Sequence, residues 1–308
     1  MSDILDNVLN EIKFFKAQQY KNMTVIGLTI PENNKIDLMP LKTGLEMGLV
    51  EISEVSPDGE VGKVKVINNA VTPLLILDGE EIIGAKQNRI VNATVIIPAK
   101  SEKDIPVSCT ESGRWNYKTD NFNYSEHMAS SRVRRGKLNS VSRSLRSSNR
   151  FMSDQQEVWN NIYETEKDLN LNNKTSALHD SYTKKAVDIE DYKRAFKVHE
   201  NQNGLITYIN GKPVGFEIIY NSSRYREYHE KLLESYILDA ISRQNEEYDQ
   251  SEFDEKIFIN NIKDSDCEIY ESVGLGFDYR LENNELTGSA MIYDGNLINA
   301  SFFKKVES

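Results

Sequence analysis

The stretch that decides the fold is residues 73–81, which read PLLILDGEE. Its apolar residues at 74–77 are continuous rather than alternating, which predicts a strand buried on both faces and followed by a polar turn. Further short apolar runs predict strands at 23–30, 49–55, 63–67, 90–97 and 105–108. Turns between them are indicated at Pro57-Asp58-Gly59 and Asn68-Asn69. Residues 21–115 are therefore predicted to be rich in β-structure.

Helical spacing occurs at the N-terminus and through the middle of the chain. Over residues 1–20 it predicts an amphipathic helix with the apolar positions Leu5, Val8, Leu9, Ile12 and Phe15. Further helices are predicted at 154–169, 175–196, 224–248 and 253–262. Asn210-Gly211 predicts a β-hairpin within 204–220. The last predicted strands are 267–273, 277–281, 286–292 and 297–303.

Strands at both ends of the chain with helices between them predict an α+β fold. We expect a mixed, mostly antiparallel sheet system built from the N- and C-terminal strands, with a helical insertion. One domain over residues 1–308 is favoured over a clean cut into two. Its parts are the N-terminal helix (1–20), a β-rich part (21–115), a basic Ser-rich loop (116–153), the helical insertion (154–200), and the hairpin, long helix and last strands (204–308).

The Ser-rich segment carries a run of cations and no acid between His127 and Ser153. These cations are Arg132, Arg134, Arg135, Lys137, Arg143, Arg146 and Arg150. One interpretation is a solvated, flexible loop. The other is a lid that faces an anion and becomes ordered over a phosphate.

Composition narrows the class of protein. Hydrophobic residues make up 39% and charged residues 28% of the chain, and no apolar run approaches the ~20 residues that span a bilayer. This argues against a membrane partner. Acidic residues in the first helix argue against a signal peptide, and two cysteines fit a reducing compartment, so we expect a cytoplasmic location. The net charge of −11 argues against nucleic acid as a partner.

Three polar clusters follow predicted buried strands. They are Asp78-Gly79-Glu80-Glu81, Gly84-Ala85-Lys86-Gln87-Asn88-Arg89, and the segment Ser108–Trp115, which contains Cys109, Glu111, Gly113 and Arg114. Polar groups placed just after buried strands are typical of a binding crevice. We predict that residues 79–89 and 108–115 converge into a cationic crevice for an anionic small molecule.

The chemistry of each side chain indicates its role in such a crevice. Phosphates would be bound by the cations Lys86, Arg89 and Arg114. A sugar and a base would be contacted by Gln87, Asn88 and Trp115, with close backbone approach at Gly113. Acid–base chemistry, or a hydrated divalent metal, would fall to Glu80, Glu81 and Glu111. The alternative is a turn-rich strand connection whose polar groups bond to the backbone and to each other.

Cys109 and Arg114 invite comparison with a cysteine-phosphatase loop, in which a thiolate and an arginine hold phosphate. The four residues between them are one fewer than that loop needs. Glu111 within it would also repel phosphate. A buried and inert cysteine is therefore favoured, and Cys109 is kept as a weaker catalytic candidate.

Zinc is disfavoured because the four histidines show no close pairing of the kind that zinc ligands have. They are His127, His179, His199 and His229. A divalent metal bound by carboxylates remains open, and no other cofactor is indicated by a motif. The chain has no phosphate loop, dinucleotide-binding turn or nucleophile elbow.

The polar clusters carry a resemblance to a known family. Residues 77–81, 84–89, 105–109, 111 and 113–115 resemble the ADP-ribosylglycohydrolase and rhodanese-phosphatase associated domain family, as do 211–216, 231–240, 274–276, 279–280, 287–288 and 294–295. The resemblance implies a nucleotide or ADP-ribose-like ligand. One departure is Asn299, where the family's last strand is expected to carry a histidine. If that histidine is catalytic, this chain would lack it.

Several functions agree with these observations. The first is binding or processing of an ADP-ribose-like or other nucleotide ligand at the crevice. A second is a non-enzymatic interaction module that binds another protein or a second copy of the chain, forming a homo-oligomer. A third is a protein that sequesters a nucleotide without cleaving it. Whether the chain is an enzyme is left open.

Overall fold

The computed structural model describes residues 3–32, 35–171, 176–248 and 254–305. The helices within them are α1 (Asp3–Asn10), α2 (Leu41–Glu46), α3 (Ser131–Ser148), α4 (Gln155–Asp168), α5 (Leu178–Lys184), α6 (Ala186–Ala195), α7 (Ser222–Ser242) and α8 (Glu255–Lys263). The strands are β1 (Lys13–Phe14), β2 (Gln18–Tyr20), β3 (Met23–Thr29), β4 (Met39–Pro40), β5 (Val50–Ser53), β6 (Lys63–Asn68), β7 (Leu74–Ile76), β8 (Glu80–Gly84), β9 (Arg89–Val91), β10 (Val95–Ile97), β11 (Ser101–Cys109), β12 (Phe122–Met128), β13 (Gly204–Ile209), β14 (Lys212–Ile219), β15 (Asp266–Glu271), β16 (Phe277–Glu282), β17 (Leu286–Tyr293) and β18 (Asn296–Lys304).

Contacts divide the chain into two compact units. The terminal unit comprises Met1–Lys35, Lys185–Glu271 and Gly276–Ser308, and the central unit comprises Ile36–Lys184 and Ser272–Leu275. The single domain predicted over residues 1–308 would contain both.

The terminal unit is built on a nine-stranded sheet in the order β1-β3-β13-β14-β18-β17-β16-β15, with β2 also paired to β3. Strands from both ends of the chain thus share one sheet. Its apolar core includes Leu5 and Leu9 of α1 and Phe258 of α8. The β13–β14 turn has Asn210 and Gly211 at φ values of 52° and 79°, the left-handed values that an Asn-Gly hairpin turn requires.

The central unit contains a six-stranded antiparallel sheet, β12-β8-β9-β11-β6-β5, and a three-stranded sheet, β10-β7-β4, in which β4 and β7 are parallel. Leu74 and Ile76 of β7 belong to its core and are fully buried, as their continuous apolar run predicts. The α+β class with mixed, mostly antiparallel sheets is confirmed.

The helix predicted over residues 1–20 is too long. α1 ends at Asn10, and the chain then enters the short strands β1 and β2. Lys13 pairs with Thr29, and Gln18 pairs with Val25, so both segments bond to β3. These tertiary backbone bonds outweigh the local helical spacing of Ile12 and Phe15, since propensity is a weak preference.

The basic Ser-rich loop predicted over 116–153 is also wrong, because the segment contains β12 and the eighteen-residue helix α3. Ser130 caps α3 by accepting a hydrogen bond from the Val133 amide. Apolar side chains at helical spacing bury one face of α3: Val133, Leu138, Val141 and Leu145. Serine and arginine mask this pattern in the sequence, although neither prevents a helix.

The remaining differences are smaller. The strand predicted at 90–97 is divided into β9 and β10, and the helix predicted at 175–196 is divided into α5 and α6. β8 was missed because its first residues, Glu80 and Glu81, look like part of a polar turn. Phe253, the first residue of the helix predicted at 253–262, lies outside the described residues, and α8 begins at Glu255 with Asp254 as its N-cap.

A buried histidine lies on α7 in the terminal unit. His229 is 4% exposed, and its Nδ1 lies 2.9 Å from the hydroxyl oxygen of Tyr225. Burial lowers the pKa of His229 to about 4; nearby Glu230 opposes this change and Lys193 reinforces it. The native state therefore holds the neutral ring, while the unfolded chain takes up a proton near its ordinary pKa of 6.5.

Stability should therefore fall as pH decreases from about 6.5 toward 4, because the unfolded state binds one more proton than the folded state in this window. The expected contribution of His229 is about 1.4 kcal/mol per pH unit. His229→Gln should remove this part of the slope, measured as the free energy of unfolding in urea between about pH 4.5 and 7. Equal slopes for the variant and the parent protein would show that His229 does not titrate in this way.

Candidate functional site

The first polar cluster begins at the tight turn between β7 and β8. Gly79 has a φ of 81°, a left-handed value that favours glycine. A Cβ at this position would lie 2.9 Å from the side chain of Arg134 on α3. The side chain of Glu80 accepts a hydrogen bond from the Leu77 amide at 2.8 Å and is fully buried. Glu80 therefore holds the turn from inside the central unit.

Residues 86–89 and 109–114 lie side by side. The Thr110 amide donates to the Asn88 carbonyl at 3.0 Å. The Gln87 side-chain amide donates to the Glu111 carbonyl at 2.7 Å, and the Asn88 amide lies 3.5 Å from the Glu111 carboxylate. Two of the three sequence clusters thus meet through direct hydrogen bonds, although they are some twenty residues apart along the chain.

The Arg114 side chain joins residues 85–88 to residues 111–116 by hydrogen bonds. Its Nε donates to the Glu111 carboxylate at 2.8 Å, and its Nη2 donates to the Asn88 side-chain oxygen at 3.3 Å. Its Nη1 donates to the carbonyls of Ala85 and Asn116, at 2.7 and 2.8 Å. Every guanidinium nitrogen therefore has an acceptor within the protein.

Arg89 lies below the surface, with none of its area exposed. Its Nη1 donates to the Gln87 side-chain oxygen at 2.9 Å and contacts the Cys109 sulfur. Its Nη2 lies 3.6 Å from the Glu54 carboxylate, and neither Nε nor Nη2 has a hydrogen-bond partner among the described residues. Its charge is thus balanced mainly by Glu54.

The most exposed part of the site is a pair of aromatic rings beside the half-buried Lys86. The Lys86 ammonium lies 5.4 Å from the centre of the Trp115 ring and 5.1 Å from that of Tyr117. It also donates to the Asp58 carbonyl at 2.6 Å. Trp115 is 41% and Tyr117 49% exposed, and Gly113 is exposed beside them. We call Lys86, Trp115 and Tyr117 the aromatic–lysine cluster.

Glu81 has a different environment from its neighbour Glu80. It is 1% exposed and accepts hydrogen bonds from Thr110 and Ser125, at 3.3 and 2.8 Å. Nδ1 of His179 lies 3.2 Å from its Oε2. The hydrogen bond to Glu81 raises the pKa of His179, although burial opposes this change.

Sequence reasoning missed His179 as a site residue, because its position depends on a contact between distant segments. Ala177 forms an isolated antiparallel bridge with Glu111, and the Leu178 amide donates to the Thr110 carbonyl at 3.1 Å. These bonds hold the segment that carries His179 against residues 110–111. The ring of His127 lies 5.2 Å from that of His179.

No group of three or more metal-binding side chains lies together in the part of the chain that the structure describes. No helix among those residues is long and apolar enough to cross a membrane.

Comparison with known families gives a match over nearly the whole sequence. The model of the ARG and Rhodanese-Phosphatase-superfamily-associated Protein domain, ARPP-1, matches residues 11–303. The chain belongs to the ARPP-1 family. This confirms the resemblance seen in the polar clusters, all of which lie inside the match. No curated protein and no solved structure matches the chain.

The ARPP-1 description links the domain to ADP-ribosylglycohydrolases and to the rhodanese-phosphatase superfamily. The departure noted at Asn299 lies in β18 of the terminal unit, where Asn299 is 4% exposed. Its side-chain oxygen has no hydrogen-bond partner among the described residues. The residues of the three polar clusters and His179, in contrast, all belong to the central unit of this ARPP-1 chain.

A buried ion pair supports the turn at Gly79. Lys137 of α3 bonds to the Asp78 carboxylate, and it also donates to the carbonyls of Val91 and Asn92, at 3.0 and 3.1 Å. Both side chains of the pair are almost fully buried. Removing one member of such a pair leaves a charge that water cannot reach.

Lys137→Met should therefore destabilise the protein by about 3–5 kcal/mol, measured by chemical denaturation. Lys42→Met is the matched control, because Lys42 pairs with Glu126 at the surface and should cost less than about 1 kcal/mol. Combining Lys137→Met with Asp78→Asn should recover part of the loss. Similar costs for the buried and the exposed lysine would contradict this account.

Cys109 is buried, and burial raises its pKa to about 11, although the charge of Arg89 opposes this change. A thiol with this pKa is almost entirely protonated at neutral pH, and thiols react as thiolates.

Native protein treated with iodoacetamide at about pH 8 should therefore be alkylated at Cys267, which is only half-buried, well before Cys109. Peptide mass mapping measures this, with protein unfolded in guanidinium as the control in which both cysteines react. Rapid native alkylation of Cys109 would restore it as a candidate nucleophile.

Proposed function

We propose that this ARPP-1 protein binds an ADP-ribose-like or other nucleotide ligand at the face formed by residues 79–89 and 108–115. The observation that carries the proposal is the aromatic–lysine cluster, in which an exposed indole lies beside an ammonium. A nucleotide offers a flat base and an anionic phosphate, which aromatic rings and cations bind respectively. The family's association with ADP-ribose enzymes favours the same class of ligand.

In this proposal the side chains act at different depths. Trp115 stacks on the base, and Lys86 binds a phosphate oxygen. Arg114 has internal acceptors for every guanidinium nitrogen, and Arg89 has no exposed area. Both arginines therefore contribute by shaping the loop that presents Lys86, and Gln87 and Asn88 share this role through their bonds to Glu111.

A second candidate is a non-enzymatic interaction module. The internal bonding of Arg89 and Arg114 favours it, because it leaves fewer free cations at the face than the sequence suggests. Exposed tryptophan and tyrosine side chains are also enriched where proteins bind each other. The partner would be another protein or a second copy of the chain.

Trp115→Ala should weaken binding of ADP-ribose, NAD or AMP about tenfold or more, since stacking on a base contributes about 1–3 kcal/mol. Lys86→Met should also weaken it, because the change removes the cation that binds a phosphate oxygen. Isothermal titration calorimetry measures this. The matched controls are Tyr163→Ala, which removes an aromatic ring 58% exposed on α4, and Lys103→Met, which removes an exposed charge on β11. Neither control should change the affinity.

The two candidates give different results in this experiment. If none of the nucleotides binds, or if Trp115→Ala leaves affinity unchanged, the nucleotide proposal is wrong. A shift in sedimentation between the parent protein and Trp115→Ala, without nucleotide binding, would support the interaction module formed by two copies of the chain.

A further inference from the structure

Two oppositely charged side chains of the central unit are buried together and are incompletely bonded. The side chains of Arg89 and Glu54 are 0% and 3% exposed, and Nη2 of Arg89 lies 3.6 Å from Oε1 of Glu54. At this distance the two charges attract each other without forming a hydrogen bond. Nε and Nη2 of Arg89 and Oε2 of Glu54 have no hydrogen-bond partner among the described residues. This buried ion pair therefore keeps two donors and one acceptor unused.

The unused atoms define the chemistry of the group that would satisfy them. Buried polar atoms without a partner are unfavourable, so a group that bonds to both side chains is stabilising. A phosphate oxygen would accept from the guanidinium but would be repelled by the carboxylate. An ammonium would donate to the carboxylate but would be repelled by the guanidinium. A neutral hydroxyl group both donates and accepts, and it therefore fits the pair.

The ion pair is connected to the face that is proposed to bind a nucleotide. The guanidinium carbon of Arg89 lies 5.4 Å from the centre of the Trp115 ring. Oε1 of Glu54 lies 3.3 Å from the amide nitrogen of Lys86, whose ammonium lies 5.4 Å from the centre of the same Trp115 ring. In a nucleotide the ribose joins the base to the phosphate. When the base stacks on Trp115 and the phosphate binds Lys86, the ribose is the part that faces the pair.

Residues 56–62, between β5 and β6, pass over this ion pair, and we call them the covering loop. A Cβ at Gly59 would lie 3.3 Å from Oε2 of Glu54. The Val61 carbonyl oxygen lies 3.8 Å from the sulfur of Cys109, which contacts the guanidinium. The covering loop thus contributes to the burial of the pair, and a ligand reaches the pair only when this loop moves.

Two hydrogen bonds in solvent-exposed positions hold the covering loop to the aromatic–lysine cluster. The Lys86 ammonium donates to the Asp58 carbonyl at 2.6 Å, and the Tyr117 hydroxyl donates to the Pro57 carbonyl at 3.1 Å. Such bonds contribute little net stability, because water replaces them when they break. A phosphate that binds Lys86 also competes with the Asp58 carbonyl for the same ammonium. Binding at the cluster therefore favours displacement of the loop.

We propose that Glu54 and Arg89 bind a ribose hydroxyl group of the nucleotide once the covering loop moves aside. The hydroxyl donates to Oε2 of Glu54 and accepts from Nε or Nη2 of Arg89. This rests on the proposed function, because Trp115 and Lys86 must hold the base and the phosphate. Arg89 shapes the loop that presents Lys86 while the site is closed, and it contacts the sugar when the site is open. The site is thereby selective for ribonucleotides over deoxyribonucleotides.

The first test uses the unaltered chain. Each of ADP-ribose, NAD and AMP that binds in isothermal titration calorimetry is compared with its analogues that lack the 2′ or the 3′ hydroxyl of the adenosine ribose. At least one analogue should bind about tenfold or more weakly than the parent nucleotide, because it leaves the buried charged groups unbonded. Equal affinities would overturn this proposal and leave nucleotide binding standing. No binding of any of the three nucleotides would overturn both.

A double variant tests the role of the pair itself. Glu54→Leu combined with Arg89→Met removes both charges together, so neither charge is left buried without its partner. It should bind the nucleotide and its deoxy analogues with equal affinity. The matched control is Glu102→Leu with Lys65→Met, which removes a surface pair between β11 and β6 and should keep the preference for ribose. A preference retained by the folded double variant would overturn the proposal, and if that variant fails to fold, the comparison on the unaltered chain decides.

Tyr117→Phe tests whether the covering loop has to move. The change removes the hydroxyl that holds the Pro57 carbonyl and keeps the aromatic ring. The nucleotide should associate severalfold faster in stopped-flow tryptophan fluorescence, because the open form is more populated. Tyr163→Phe, at an exposed tyrosine on α4, is the control and should keep the parent rate. An unchanged or slower association in Tyr117→Phe would mean that the loop does not limit access to the pair, and the proposal would be wrong.

Discussion

The candidate site depends on the hydrogen bonds made by the backbone of residues 110–111. The Thr110 amide donates to the Asn88 carbonyl, and the Thr110 carbonyl accepts from the Leu178 amide. Each such bond stabilises the fold by only about 1 kcal/mol net. Their structural consequence is larger, because they join Thr110 both to Asn88, which comes earlier in the chain, and to Leu178, which comes much later. Residues 86–89 and the segment that carries His179 are both held against residues 110–111 for this reason.

Burial of charge is the second constraint on the central unit. Glu81, Arg89 and Lys137 are all nearly inaccessible to water, and an unpaired buried charge is very unfavourable. Each is accordingly bonded or paired: Glu81 with two hydroxyls and an imidazole, Arg89 with Gln87 and Glu54, and Lys137 with Asp78. The charges of these buried residues are therefore largely neutralised inside the central unit. The cation of the aromatic–lysine cluster is Lys86.

Local patterns in the sequence predicted the elements whose structure is decided locally. The Asn210-Gly211 hairpin follows from the left-handed conformations that these two residues tolerate, and the strand at 74–76 follows from a continuous apolar run. The α3 helix shows the limit of composition, since a Ser- and Arg-rich segment forms a helix when one face can be buried. β1 and β2 show the limit of periodicity, because pairing with β3 overrides helical spacing.

The candidate site was predicted only in part for the same reason. Residues 86–89 and 108–115 could be recognised because each follows a buried strand and carries several polar groups. Nothing close to His179 in the sequence indicates its bond to Glu81, because Glu81 lies nearly one hundred residues earlier. The protonation behaviour of such side chains becomes clear only when their exposure and their bonded partners are considered together. Burial raises the pKa of Cys109 and keeps its thiol inert even though the Arg89 guanidinium contacts its sulfur, whereas the hydrogen bond to the Glu81 carboxylate raises the pKa of the partly exposed His179.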